Sequence, residues 1–125
     1  MTIASSSGTD NSVGGIVGWT SNNSAVINCA AFGNITETSH GSFSAVGGVV
    51  GYSSGAVYAC YSDSNLHSDY SSYEDGADVP VGGVVGGTSY MAAAYNCYFN
   101  REAEQSYDGG TVSDPVADGY DTINY

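Results

Sequence analysis

The segment "VGGIVGW" beginning at Val13 returns as "VGGVVGY" at Val46 and as "VGGVVGG" at Val81. A doubled glycine is costly to order, because glycine loses more backbone freedom on folding than any other residue. A chain that places the pairs Gly14-Gly15, Gly47-Gly48 and Gly82-Gly83 at steps of 33 and 35 residues is repeating one structural unit. Each copy then reaches one cysteine, Cys29, Cys60 or Cys97, which lies 11, 9 or 11 residues beyond the third glycine of the motif, Gly18, Gly51 or Gly86. The middle copy has the same layout with a connection two residues shorter. After the cysteine, "CAAFGNI" aligns with "CYSDSNL", Asn34 over Asn65 and Ile35 over Leu66, whereas "CYFNREA" breaks the pattern.

Within a copy the pieces are short. A Val-rich run is followed by a Ser/Asn/Gly turn, a second run ("AVINCAAF", "AVYACY", "AAAYNCYF") and a weaker third run starting near Ile35 or Leu66. Short β-branched and aromatic runs bounded by Gly, Ser, Asn and Asp are strand signals. "YMAAAY", Tyr90 to Tyr95, reads as strand too, since no 3.6-residue period surrounds it. Side-chain parity is left open at one place: Val57 and Cys60 are three apart, so either a bend lies between them or one faces outward.

A repeat of about 34 residues built from such strands suits a β-solenoid of roughly three strands and three turns per coil. Rungs about 4.8 Å apart stack like residues on like, so Ile16, Val49 and Val84 are expected to form an inward ladder. That economy matters, because Val, Ile, Leu and Phe are only 22 of the 125 residues, a content at which disorder competes with folding. The glycines belong where the chain turns sharply, needs positive φ, or passes too close to a neighbour for a Cβ. The expected fold is therefore all-β: a parallel β-solenoid (β-helix) of about three rungs with a surface loop excursion and an irregular acidic C-terminal tail. The expected boundaries are an irregular leader or cap at 1–11, repeats at about 12–45, 46–80 and 81–100, and a polar tail at 101–125. The excursion is placed at 62–80, "SDSNLHSDYSSYEDGADVP".

Charge narrows the function. Thirteen acidic residues stand against one basic residue, Arg101, for a net charge of −12. Nucleic-acid binding requires cations that displace phosphate counterions, a P-loop requires its lysine, and attraction to an anionic membrane surface requires a basic patch. None is present, and no stretch approaches the roughly 18 apolar residues of a membrane span, so neither a nucleic-acid partner nor membrane insertion is expected. The start, "MTIASSSGTD", lacks the basic and apolar regions of a signal peptide, and the repeats favour a piece of a longer exported protein.

"GGIVGWTSNNSAVINCAAFGNI" and "GGVVGYSSGAVYACYSDSNL" resemble the GLUG motif, a repeat of Gly-Gly-aliphatic-Val-Gly-aromatic, a Gly/Ser turn and an Asn-Cys-Tyr-like strand. The likeness covers about residues 12–100. The third copy departs from it, with Gly87 where Trp19 and Tyr52 stand. GLUG repeats occur in large bacterial and archaeal surface proteins, including adhesin-like proteins and non-catalytic regions of immunoglobulin A metallopeptidases. The resemblance implies an extracellular, cell-surface segment with a structural role, and it carries over no catalytic residue.

The chemistry in the chain is sparse. The three cysteines can be free thiols, one disulfide or metal ligands; their spacing matches no zinc pattern, stacked Cβ atoms lie farther apart than a disulfide prefers, and buried thiols are the favoured reading. His40 and His67 sit in polar stretches outside any "HExxH" and are read as solvated loop residues. Calcium is the cofactor left open, on Asp-Gly loops such as "YEDGAD". For recognition, the candidate is the aromatic-acidic loop around Tyr70, Tyr73, Glu74 and Asp75, whose rings can stack on sugars while carboxylates accept hydroxyl protons. The expectation is a non-enzymatic stalk displaying binding loops to a glycan or a host or neighbour-cell surface protein. The alternative is an auxiliary carbohydrate-binding or calcium-dependent module of a secreted enzyme.

Overall fold

The computed structural model describes residues 1–4, 10–39, 43–70, 80–89, 92–107 and 110–111. After the short strand β1 (Thr2–Ala4), the first rung comprises β2 (Asn11–Gly14), β3 (Val17–Thr20), β4 (Ala25–Ile27) and β5 (Ala30–Ser39). The second repeats it as β6 (Ser44–Gly47), β7 (Val50–Ser53), β8 (Ala56–Tyr58) and β9 (Tyr61–Tyr70). The third follows with β10 (Val81–Gly82), β11 (Val85–Thr88), β12 (Ala93–Tyr95), β13 (Tyr98–Phe99) and β14 (Gln105–Tyr107), and β15 (Gly110–Thr111) comes last. Equivalent strands pair in parallel as β2-β6-β10, β3-β7-β11 and β4-β8-β12, and the long strands form β1-β5-β9-β14-β15 with β13 also on β9. This is a parallel β-solenoid of three rungs. Among the described residues only β14 and β15 pair antiparallel.

The first two rungs have four strands each rather than three, because the Val-rich run and the second run are both bent in the middle and the third run continues the end of the second; in the third rung the long strand is further divided into β13 and β14. The first bend is the doubled glycine. Gly15 N–H donates to the Gly48 carbonyl at 3.2 Å and Gly48 N–H to the Gly82 carbonyl at 3.2 Å, so the ladder continues through the bend. Positive φ is not the reason for glycine here: among the described glycines only Gly33 has it, at 104°. The reason is contact. A Cβ on Gly47 would overlap the Val50 carbonyl oxygen and lie 2.6 Å from the Gly86 nitrogen.

The second bend falls just before each cysteine. Asn28, Ala59 and Asn96 hold φ of 55°, 50° and 52°, the left-handed region. One such residue reverses side-chain parity, so Val57 and Cys60 are both buried at 1% exposure although three apart. The open alternative in the sequence is thus decided in favour of a bend. The turn between the second and third strands of a rung is short in the middle copy. Thr20 Oγ1 and Ser53 Oγ lie 2.9 Å apart, and Ser54 N–H donates to the Thr20 carbonyl at 3.1 Å.

The core is two thin ladders. Val13, Val46 and Val81 face Ile35 and Leu66; Val49, Val50, Val84 and Val85 pack with Val26, Val57, Ala94, Cys60 and Cys97. Fully burying a valine contributes about 1.5–3 kcal/mol. The expected ladder of Ile16, Val49 and Val84 needs a correction at its first member. Val49 and Val84 are buried, but Ile16 is 49% exposed, because no described strand covers β2 and β3 on that side.

The excursion expected at 62–80 also needs correction. Residues 61–70 are β9, paired over its whole length from Ala30↔Tyr61 to Ser39↔Tyr70. Its alternation is regular: Ser62, Ser64, Leu66 and Ser68 point inward, and Tyr61, Asp63 and Asn65 outward. Serine fills the inward positions where an aliphatic residue usually signals a strand, and three such hydroxyls sit buried beside Leu66. Residues 71–79 of the proposed excursion lie outside the described residues. At the chain ends, β1 extends the long sheet by pairing Thr2↔Thr36 through Ala4↔Thr38, within the expected irregular leader. In the expected tail, β14 returns to the same sheet with Gln105↔Leu66. Between Phe99↔Ser62 and Gln105↔Leu66 the third rung carries two extra residues, which explains why "CYFNREA" departs from the pattern. Residues 112–125 lie outside the described residues.

Candidate functional site

Reactive side chains inside the coil are occupied with neighbours of the coil itself. Cys29, Cys60 and Cys97 are free thiols at stacked positions. Cys60 Sγ donates to the Tyr58 carbonyl at 3.2 Å and to the Val26 carbonyl one rung away at 3.7 Å. Cys97 repeats this with Tyr95 at 3.4 Å and Val57 at 3.6 Å. Burial pushes the Cys60 thiol up from its ordinary value, outweighing a backbone hydrogen bond from Cys29. Glu37 is 1% exposed, with Ser68 Oγ donating to its Oε2 at 2.9 Å and Oε1 without a partner. His67 lies on β9, half-buried, with Nδ1 2.9 Å from Ser106 Oγ, rather than in a solvated loop. His40 lies outside the described residues. Among the described residues, no group of three or more His, Cys, Asp or Glu side chains is placed to hold a metal ion.

The outer surface carries more. Where β4, β8 and β12 meet the long sheet, Ile27, Tyr58 and Tyr95 stack in register on one side of the bend, and Tyr61 and Tyr98 on the other. Tyr58 and Tyr95 are stacked at 5.0 Å, and Phe32 lies 6.0 Å from Tyr61. Phe32 and Tyr98 are 69% and 67% exposed. Beside them, Asn65 Nδ2 donates to Asn34 Oδ1 at 3.0 Å and Asn100 Nδ2 to Asp63 Oδ1 at 2.9 Å. The result is a stripe of rings flanked by planar polar groups.

A second feature is concave. The third glycine of each motif lets the second strand lie against a first strand, its own in the first rung and that of the preceding rung in the second: a Cβ on Gly18 would stand 2.8 Å from the Ser12 carbonyl oxygen, and one on Gly51 2.5 Å from the Val13 nitrogen. Beyond this closed end the strands leave an open cleft of about 540 Å³ lined by Asp10, Ser12, Trp19, Phe43 and Tyr52. Trp19 and Tyr52 are register partners on β3 and β7, and Gly87 holds the same position on the third rung. The Phe43 and Tyr52 rings meet edge to face at 5.6 Å and 81°.

The residues singled out from the sequence divide clearly. Gly14, Gly15, Gly18 and their equivalents, Gly47, Gly48, Gly51, Gly82, Gly83 and Gly86, fall at the first bend or where two strands touch, and the cysteines stack just after the second bend. Of the candidate loop, Tyr70 ends β9, while Tyr73, Glu74 and Asp75 lie outside the described residues. The cleft was missed. Its signal was the aromatic after Val-Gly in the first two copies, which reads as part of the repeat until Phe43 is brought beside it.

The comparisons agree with the repeat. The family model of the GLUG motif matches residues 9–36, so the first rung, from β2 into β5, carries a GLUG motif. No curated protein and no solved structure matches the chain.

Proposed function

We propose that this coil is a non-enzymatic structural segment of an extracellular, cell-surface adhesin-like protein, a short length of rod that spaces and displays binding surfaces within a longer repeat-containing chain. The observation that supports it is the register. Three rungs set equivalent positions one above another, from Val13↔Val46↔Val81 to Ala30↔Tyr61↔Tyr98, so cohesion runs along the axis through backbone hydrogen bonds and two narrow ladders. Such a body is extended by adding rungs. The chain's net charge of −12 favours solvation. The test is antibody labelling of this segment on intact cells of the native host: labelling without permeabilisation supports display, and labelling only after lysis contradicts it.

The exposed ring stripe favours a second reading, an auxiliary carbohydrate-binding module of a secreted enzyme. Phe32, Tyr61 and Tyr98 form a platform beside Asn34, Asn65 and Asp63, a combination that suits stacking with hydrogen bonding to sugar hydroxyls. A glycan array probed with the wild type and with Phe32→Ala/Tyr98→Ala supports it if binding is lost in the variant, and removes it if no glycan binds. Calcium dependence is tested by thermal melts with calcium and with EDTA; identical curves remove that version.

A further inference from the structure

We propose that the cleft between the first and second strands of the first two rungs binds an organic cation, an alkylated ammonium group of the choline type. This does not depend on the rod reading, and it concerns a different surface from the ring stripe.

Three observations converge on a cation. Trp19, Phe43 and Tyr52 all line the cleft, and an aromatic face attracts a cation through its quadrupole, tryptophan most strongly. Asp10 adds a carboxylate to the same lining, in a chain of net charge −12. Its field repels anions and concentrates cations at a concave acidic site. The rings are also arranged for a rounded group rather than a flat one. Phe43 and Tyr52 stand at 81° with centroids 5.6 Å apart, so a sugar whose broad C–H face stacks on one meets the other edge-on, whereas a compact ammonium touches both.

Size and access fit a headgroup carried by a larger molecule. The cleft of about 540 Å³ is open to solvent, and Trp19 at its rim is 60% exposed. Ser12 supplies a polar contact for the remainder of the ligand. The methyl groups of an alkylated ammonium are apolar enough to replace water against the rings, which a small hydrated cation such as sodium does not do.

Trp19 is the only tryptophan of the chain, so its fluorescence reports on this cleft. The experiment titrates the whole chain with choline, with its neutral isostere 3,3-dimethylbutan-1-ol, and with glucose and N-acetylglucosamine. A saturable change with choline is expected, with the isostere about tenfold weaker and the sugars silent. By isothermal calorimetry, Tyr52→Ala is expected to weaken choline about tenfold and Asp10→Asn about threefold, with a shallower salt dependence for Asp10→Asn. Equal binding of choline and the isostere overturns the proposal in favour of an apolar groove. Saturable binding of a sugar without choline overturns it in favour of a glycan site, and the absence of any saturable change ends it. The wild-type comparison decides even if a variant fails to fold.

Discussion

At the scale of single residues, glycine and left-handed residues shape this coil for different reasons. The motif glycines are required by contact, so a methyl group at Gly47 must displace backbone of Val50 and Gly86, atoms that no rotamer change can move. Gly47→Ala is expected to cost about 3 kcal/mol or more in chemical denaturation, or to abolish folding. Ala59 is the opposite case. It occupies a left-handed position that Asn28 and Asn96 fill in the other rungs, and alanine there is strained by about 1–2 kcal/mol. Ala59→Asn is expected to raise stability by roughly 1 kcal/mol, read as a higher denaturation midpoint at unchanged slope. The cysteines supply a pH prediction. The folded state holds Cys60 protonated by burial, so the unfolded chain releases that proton first as pH rises. The stabilisation is present below about pH 8.5 and declines above it, and Cys60→Ala is expected to flatten that decline. Thiol labelling at neutral pH is expected to modify Cys29, which is part-exposed, well before Cys60 and Cys97. The sequence showed that glycine was needed three times; it could not show which of the three uses of glycine applied, because that depends on a strand from the next rung.

At the scale of elements, the strand hardest to read was the longest. β9 spans ten residues, yet its inward positions include Ser62, Ser64 and Ser68, so polarity alone made it look like a loop. What identifies it is its neighbour: β5 pairs with every residue of it. The count of strands per rung failed for a related reason. "AVINCAAF" is a continuous β-prone run, but Asn28 bends it into β4 and β5, and a bend at one left-handed residue leaves little compositional trace. The third rung regains the pattern after a two-residue insertion, and Asn65 holds the insertion in place. Its Oδ1 accepts from the Glu104 N–H at 2.9 Å, while its Nδ2 donates to Asn34 at 3.0 Å. Asn65→Ala is expected to lower stability by about 1–2 kcal/mol and to speed amide exchange at Glu104, whereas amides of β7 are unaffected beyond the global loss.

At the scale of the whole molecule, the repeat made the architecture legible and the function much less so. The shared first bend follows from the 33- and 35-residue steps of the glycine pairs, and the stacking of Cys29, Cys60 and Cys97 and the in-register asparagines follow once the shorter turn of the middle copy is allowed for. The cleft does not, because Phe43 lies between two copies and becomes a neighbour of Tyr52 only once the coil closes. The two ends of the stack also differ. Ile16 on the first rung is 49% exposed, while Val84 at the same position on the third is 1% exposed. In a body whose stability is a sum of rungs and their interfaces, a further rung of the same pattern set on the first is expected to raise the denaturation midpoint by covering Ile16. All of this depends on the hydrogen bonds that join one rung to the next. The most direct test is the NMR scalar coupling transmitted across them, from the Tyr61 amide nitrogen to the Cys29 carbonyl and from the Tyr98 amide nitrogen to the Cys60 carbonyl, both at 2.9 Å here. Observation of both couplings is the predicted result; couplings from these amides to other carbonyls would contradict the stacked, in-register coil.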